Sequence, residues 1–185
     1  MSARKKPASL DLSAAIHEAW TTNDRVTGFL VASLPETVWR APLPGESRRT
    51  VRSIAAHLHN SRCHWIRTLG AEFGIAVPAS VDPARVTRRQ LSAALNRSSR
   101  GMLGLIALGA GNGGRIPASS AYTWRNLPLD LGHFLAYFAA HEGHHRGQIV
   151  MAARQLGHRL PVAVTGGLWQ FTRLSKGPGG RRRRR

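Results

Sequence analysis

The sequence predicts an all-α fold, an antiparallel four-helix bundle with flexible N-terminal and arginine-rich C-terminal ends. Four long segments carry apolar residues at helical spacings, and capping residues, glycine or proline bound them. Strand alternation is limited to short pieces at residues 76–77 and 162–164. A chain of 185 residues suits one domain. Four amphipathic helices of this length favour a bundle.

The first predicted helix covers residues 11–34. Asp11 is a suitable N-cap, and Pro35 bounds the far end because a residue before proline avoids helical geometry. Residues 35–49 contain three prolines and one glycine, so we predict that they form a loop.

The second predicted helix covers residues 50–69, and Gly70 can end it. The third covers residues 83–108, with Asp82 as its cap and Pro83 in the first turn, where the missing N–H costs nothing. A glycine cluster at residues 109–114 is predicted to be a loop. The fourth helix covers residues 128–156, and Gly157 can close it.

The chain divides into a helical domain and two ends. Residues 11–174 form the predicted domain, residues 1–10 a flexible N-terminus, and residues 175–185 a disordered basic tail. The tail has a glycine- and proline-rich start and five terminal arginines, which cannot bury apolar surface. We interpret it as solvated; a loose anchor for nucleic acid or acidic lipid is the alternative.

Composition narrows the classes of protein further. The formal net charge is +18, and the five arginines of the tail account for only part of it. The single cysteine, Cys63, excludes an internal disulfide and a multi-cysteine zinc site. The N-terminus lacks the apolar run of a secretory signal, and no stretch approaches the roughly 18 apolar residues of a membrane span. We therefore expect a cytoplasmic protein without membrane association.

The fourth helix carries a close group of three of the nine histidines, His141, His144 and His145. At about 100° per residue, His141 and His145 fall about 40° apart inside an apolar stripe, while His144 lies about 100° from its centre. The stripe consists of Leu131, Phe134, Phe138, Ile149, Ala152 and Leu156. A divalent metal would satisfy two such neutral imidazoles. A pair of core histidines hydrogen-bonded to backbone or water is the alternative.

The second helix carries a further group, His57, His59 and His64. His57 and His59 flank its apolar stripe on opposite sides, each by about 100°. Periodicity does not choose between them as partners for the histidines of the fourth helix.

Two segments resemble the DinB/YfiT-like superfamily. The stretch TVRSIAAHL at residues 50–58 resembles its first metal-ligand segment, and HEGHHRGQI at residues 141–149 resembles its characteristic second segment. The LPE-x-x-W loop at residues 34–39 and the ending GLWQF at residues 167–171 also fit. The resemblance covers about residues 10–172.

The resemblance implies a four-helix bundle, often dimeric, with a three-histidine site for a divalent metal. Carried over residue by residue, the ligands are His57, His141 and His145, with His59 as the physical alternative to His57. All-imidazole ligation suits zinc, nickel or iron. We expect a homodimer, to which Trp20, Trp39 and Trp169 would contribute exposed apolar surface.

The resemblance also implies an activity, because similar proteins include thiol transferases that use bacillithiol or mycothiol, and a mycothiol-dependent isomerase. We therefore expect a metal-dependent thiol S-transferase or related hydrolase with a small-molecule substrate and a low-molecular-weight thiol. Arg146 is a candidate auxiliary that would favour an anionic cosubstrate. Gln148, about 60° from His145, would orient a ligand or bound water, or form a helix-contact hydrogen bond. Gly147 would allow close helix approach.

Three alternatives compete with this hypothesis. The first is a basic helical protein that binds nucleic acid or another anionic partner, with a structural metal or none; it follows from the net charge but lacks a recognition-helix motif. The second is a metalloprotease, since residues 141–145 also match His-Glu-x-x-His. The third is nucleophilic catalysis by Cys63, whose more ordinary role is that of a small packed residue.

Overall fold

The computed structural model describes residues 11–123 and 126–177, and the side chain of Ser47 is not described. The described part is mostly helical, so the predicted all-α class is confirmed. In chain order its elements are α1 (Leu12–Ser33), α2 (Glu36–Arg40), β1 (Pro42–Leu43), β2 (Glu46–Thr50), α3 (Val51–Gly70), α4 (Arg88–Gly111), α5 (Leu131–Gln155), α6 (Val162–Thr165) and α7 (Phe171–Ser175). Short 3-10 turns at Ala71–Phe73 and Gly167–Trp169 complete it.

Four of these helices are long, and their caps explain where they begin. The Asp11 carboxylate accepts a hydrogen bond from the Ala14 N–H at 3.0 Å, as predicted for the start of α1. Thr50 and Ser53 cap α3 reciprocally. The first of these caps could be identified in the sequence because an aspartate stands directly before the periodic segment.

Two predicted helix starts are wrong. Helix α4 begins at Arg88 rather than at residue 83, because Thr87 and Gln90 form a capping box while Asp82 starts a separate turn, accepting from the N–H of Ala84 at 2.7 Å. Helix α5 begins at Leu131 rather than at residue 128, because the Asp130 carboxylate accepts from the His133 N–H at 3.0 Å. In both cases a cap closer to the helix binds its orphan N–H groups.

The predicted loop at residues 35–49 is also wrong in part. It contains α2 and the antiparallel hairpin of β1 and β2, whose turn places Gly45 at a φ of +77°, a conformation that residues with a side chain rarely adopt. The two strand pieces expected elsewhere are absent from the described residues. Residues 76–77 have no regular structure, and residues 162–164 belong to α6.

The core lies where the four long helices meet. Helix α3 packs against α4 and α5, α1 packs against the same two helices, and α7 covers part of α1. Trp20 and Trp39 are fully buried in this core, whereas Trp169 is 82% exposed. The expectation that all three tryptophans are exposed is therefore wrong for two of them, because their indole N–H groups donate internally to Ser99 and to the Val86 carbonyl.

The ends of the chain contribute little to this description. The predicted flexible N-terminus at residues 1–10 lies outside the described residues, as do residues 178–185 of the predicted basic tail. Within the described ranges, none of the helices combines the length and the apolar character that crossing a membrane would require.

Candidate metal centre

Helices α3 and α5 bring three histidines together. His57 lies on α3, and His141 and His145 lie one turn apart on α5. One nitrogen of each ring lies within 4.8 Å of the others, a grouping that could hold a metal ion. The Nε2 atoms of His57 and His141 are 3.3 Å apart. The three residues are called the histidine triad below.

The triad lies at the edge of the helix pair rather than deep in the core. His57 is exposed, and His141 and His145 are half-buried. The apolar stripe of α5 therefore predicts the correct side of the helix for His141 and His145, but it overestimates how deeply they are buried. Because His57 is exposed, the triad borders solvent on the α3 side.

Electrostatics keep the three rings neutral at pH 7. Burial, reinforced by neighbouring His145 and His57, lowers the pKa of His141 to about 4. Burial is also the main reason that the pKa values of His57 and His145 are lowered, and the positive charge of Arg49 lowers both further. Neutral imidazole is the form that binds a metal, so no proton has to be displaced at this pH.

Gln148 sets the tautomer of His145. The Nδ1 of His145 lies 2.8 Å from the Gln148 Oε1, and an amide oxygen only accepts, so Nδ1 carries the proton and Nε2 presents its lone pair. The Arg49 guanidinium, on β2, donates to the same oxygen at 3.2 Å. The Gln148 amide nitrogen lies 3.0 Å from the Nε2 of exposed His144. Gln148 is thus placed where an orienting residue would stand.

Arg146, the other candidate auxiliary, lies away from the triad. Its NH1 donates to the Asn23 Oδ1 at 3.0 Å and to the Thr27 Oγ1 at 2.8 Å, both on α1. The cation beside the triad is instead Arg49, which the sequence analysis did not single out. The sequence gives little indication of this role, because Arg49 lies in the segment predicted to be a loop.

Glu142, the glutamate of the His-Glu-x-x-His pattern, has a buried structural role that was not predicted from the sequence. It is fully buried, and Arg62 of α3 donates to both of its oxygens, from Nε at 2.7 Å and from NH2 at 2.9 Å. Asn23 and Thr27 donate to Oε2 at 2.9 and 2.8 Å. A usable signal existed: Glu142 follows Phe138 by four residues and precedes Ile149 by seven, which places it on the same buried stripe.

This placement argues against the metalloprotease alternative. A protease with the His-Glu-x-x-His pattern uses the glutamate as a general base on a water molecule. Both oxygens of Glu142 are occupied by donors from α1 and α3, and the charge of Arg62 overcomes the effect of burial and lowers the pKa of the carboxyl group. A buried carboxylate held by four hydrogen bonds has little basicity to offer.

His59 does not join the triad. It is buried, its Nδ1 lies 3.0 Å from the Ser98 hydroxyl, and its Nε2 lies 3.0 Å from the Ala79 carbonyl. Since the carbonyl only accepts, Nε2 carries the proton. The Ser98 hydroxyl lies within hydrogen-bond distance of both Nδ1 and the Leu95 carbonyl. One ring nitrogen thus contacts α4, and the other contacts the segment that follows α3. Cys63 lies beside His59 in the same interior, where burial raises the pKa of its thiol.

The structure thus defines the class of protein: a mostly helical fold with three histidines clustered between two of its helices. The DinB family model matches residues 7–171. The chain belongs to the DinB family. No curated protein and no solved structure matches it at a significant level.

Proposed function

We propose that the four long helices form an antiparallel bundle in which His57, His141 and His145 bind a divalent metal, and that the protein is a metal-dependent thiol S-transferase or related hydrolase. The observation that carries this proposal is the convergence of three neutral imidazoles from α3 and α5. Membership of the DinB family supports it.

The donor set fits a metal of the zinc, nickel or iron type. Tetrahedral ligands about 2.0–2.1 Å from an ion stand roughly 3.3 Å apart, and the Nε2 atoms of His57 and His141 are separated by 3.3 Å. Imidazole nitrogens suit these metals better than magnesium or calcium, which prefer oxygen. Three protein ligands also match the number found in catalytic rather than structural zinc sites.

The chain's own residues define the kind of cosubstrate. The ion would act as a Lewis acid that lowers the pKa of a thiol or a water molecule. None of the triad residues carries a negative charge. Burial is the main reason that the pKa values of His57 and His145 are lowered, and the Arg49 guanidinium stands close enough to lower both further. Arg49 would therefore attract an anionic thiol or substrate to the exposed side of His57.

In the proposed transfer, the thiol sulfur forms a bond to an electrophilic carbon of the second substrate. The thiol proton passes to solvent, and the leaving group departs with its electron pair. In the hydrolase version, water takes the place of the thiol. Gln148 would hold His145 in the required tautomer throughout.

Elemental analysis of protein purified without a histidine tag tests the metal. We expect one divalent ion per chain in the wild-type protein and none in the His141→Ala variant. Bacillithiol- and mycothiol-type thiols are then screened against a panel of electrophiles, with the same variant as the blank. If the wild-type protein binds metal but reacts no faster than His141→Ala, the proposed activity is contradicted, while the proposed metal site stands.

Nucleic-acid binding is the second candidate, favoured by the net charge of +18. A gel-shift assay across a salt series tests it, because phosphate contacts make affinity fall steeply with salt. A variant that lacks residues 181–185 separates the contribution of the arginine tail to nucleic-acid affinity from that of the helical domain. Tight binding by the shortened chain, unaffected by metal removal, would favour this candidate over the enzyme.

A further inference from the structure

A groove of about 340 Å³ lies on the side of α5 turned away from the histidine triad. At about 100° per residue, Gly147 on its floor stands about 160° from His145. Its apolar walls come from α1, α5 and the C-terminal turns, and include Val26, Val150 and Leu168. This cavity, called the C-terminal groove below, is of a size that small-molecule sites have.

Two glycines keep the floor of the C-terminal groove low. A Cβ atom added at Gly147 would meet nothing within 4 Å. One added at Gly143 would meet only the Arg146 guanidinium, at 3.7 Å. Neither glycine is needed for close approach of another helix, which is the role expected for Gly147. The missing side chains instead leave α5 backbone open to an occupant of the groove.

Two arginines give the C-terminal groove its charge. The NH1 of Arg146 is bound to α1 and lies 3.6 Å from the Oε2 of Glu142, but its NH2 makes no hydrogen bond within the described ranges and lies next to the Gly143 position. Arg154, two turns further along α5, is exposed, and its guanidinium has no hydrogen bond or ion pair to any described residue. No acidic side chain is among the described residues that line the groove. The groove is thus apolar in its walls and cationic at its polar positions.

We propose that the C-terminal groove binds a small amphipathic anion, an apolar body with one terminal anionic group. The body would lie over Gly147 between Val150 and Leu168, and the anionic group would accept from the free NH2 of Arg146, with Arg154 attracting it from outside. Trp169, 82% exposed at the rim, would cover the apolar body. This site is independent of the function proposed for the triad.

Charge favours this occupant over a second copy of the chain. A copy docked here would have to bring a carboxylate to Arg146 and Arg154, yet the chain has only nine acidic residues against 27 basic ones. Like charges brought together across an interface oppose association. A small anion neutralises the groove without bringing further arginines to it.

Calorimetric titration with octanesulfonate and with octanol tests the proposal, since sulfonate is a poor metal ligand and the alcohol has the same apolar chain without the charge. We expect octanesulfonate to bind at least about tenfold more tightly than octanol, because a hydrogen bond to a charged group is worth that factor. The Gly147→Leu variant starts from a Cβ position with open space around it, so its side chain should occupy the groove and weaken octanesulfonate binding by about tenfold or more. Gly111→Leu, at another glycine with open space around its Cβ position, should leave binding unchanged.

Three results would overturn the proposal. Equal binding of octanol and octanesulfonate would show that the arginines do not select an anion. Unchanged binding in Gly147→Leu with loss in His57→Ala would place the sulfonate at the triad. A wild-type dimer that Gly147→Leu converts to a monomer, without any sulfonate binding, would make the groove a contact between chains. Thermal unfolding tests whether Gly147→Leu is folded. We expect a melting temperature no lower than that of the wild type, because the Cβ position has open space around it and a helical glycine is replaced by a better helix former.

Discussion

Arg62 of α3 and Glu142 of α5 form a buried two-point ion pair directly behind the histidine triad. Their atoms meet at 2.7 Å and 2.9 Å, and neither side chain is more than 1% exposed. Arg62 also donates to the Asp24 carboxylate of α1 at 2.6 Å. Arg62 lies on α3 with His57, and Glu142 lies on α5 next to His141. The ion pair therefore links the two helices that carry the triad.

Replacing one partner of this pair should unfold the protein far more easily than replacing a surface charge. We expect Glu142→Gln and Arg62→Met each to lower the free energy of unfolding by about 3 kcal/mol, because each removes the two-point partner of a buried charge. This is the lower end of the range for a broken buried pair, since Asp24 still faces Arg62 in the first variant and Arg146 still faces Glu142 in the second. Urea denaturation followed by circular dichroism measures this.

The control is Glu36→Gln, which weakens surface pairs with Arg40 and Arg88. It should cost about 1 kcal/mol or less. The double variant Arg62→Met with Glu142→Met should recover part of the loss, since an apolar replacement of both partners is often tolerated. Single variants as stable as the surface control would show that α1, α3 and α5 are held by packing alone.

Metal stoichiometry should separate the triad from the neighbouring histidines. We expect His57→Ala, His141→Ala and His145→Ala each to abolish stoichiometric binding, because one of three ligands is lost. His144→Ala should retain the metal, since this side chain is exposed and contacts Gln148 rather than the triad nitrogens. Elemental analysis after gel filtration measures it.

His59→Ala provides a second comparison within the same helix as His57. It should retain the metal but lower the melting temperature, because Ser98 and Ala79 lose a buried partner. If His59→Ala empties the site while His57→Ala does not, the assignment of the α3 ligand is wrong.

Gln148 should tune the metal rather than bind it. We expect Gln148→Ala to weaken metal affinity by about 10–100-fold, the range typical of groups that orient a ligand. Competition against a chromogenic chelator gives the dissociation constant. Gln148→Glu keeps an acceptor for the His145 N–H and should restore most of the affinity.

Gln155→Ala, at an exposed glutamine near the end of the same helix, is the matched control and should have no effect. Equal affinity in wild type and Gln148→Ala would mean that His145 does not depend on this hydrogen bond for its tautomer.

The homodimer implied by the family resemblance stays a prediction. Trp169 is the one of the three tryptophans considered that is exposed, at 82%. Light scattering at micromolar concentration should give twice the chain mass of 20.2 kDa. A monomer mass in that range would contradict it, and repeating the measurement with Trp169→Ala shows whether this side chain contributes.

Sequence patterns alone predict the helical class, most of the extent of the long helices and the shared face of His141 and His145. These properties are local: helical periodicity and caps such as Asp11 depend on residues within one or two turns. The family resemblance added His57, which periodicity could not distinguish from His59. The starts of α4 and α5 were misjudged because several nearby residues can cap a helix and only one does.

Which polar side chains meet depends on the packing of the helices and could not be predicted from the sequence. Whether His59 faces the interior, whether Arg146 or Arg49 lies beside the triad and whether Glu142 is free to act as a base all depend on contacts between helices far apart in the chain. Asn23 and Thr27, more than a hundred residues before Glu142, bind its carboxylate. No pattern within one segment encodes such a contact, because it is set by how the helices pack.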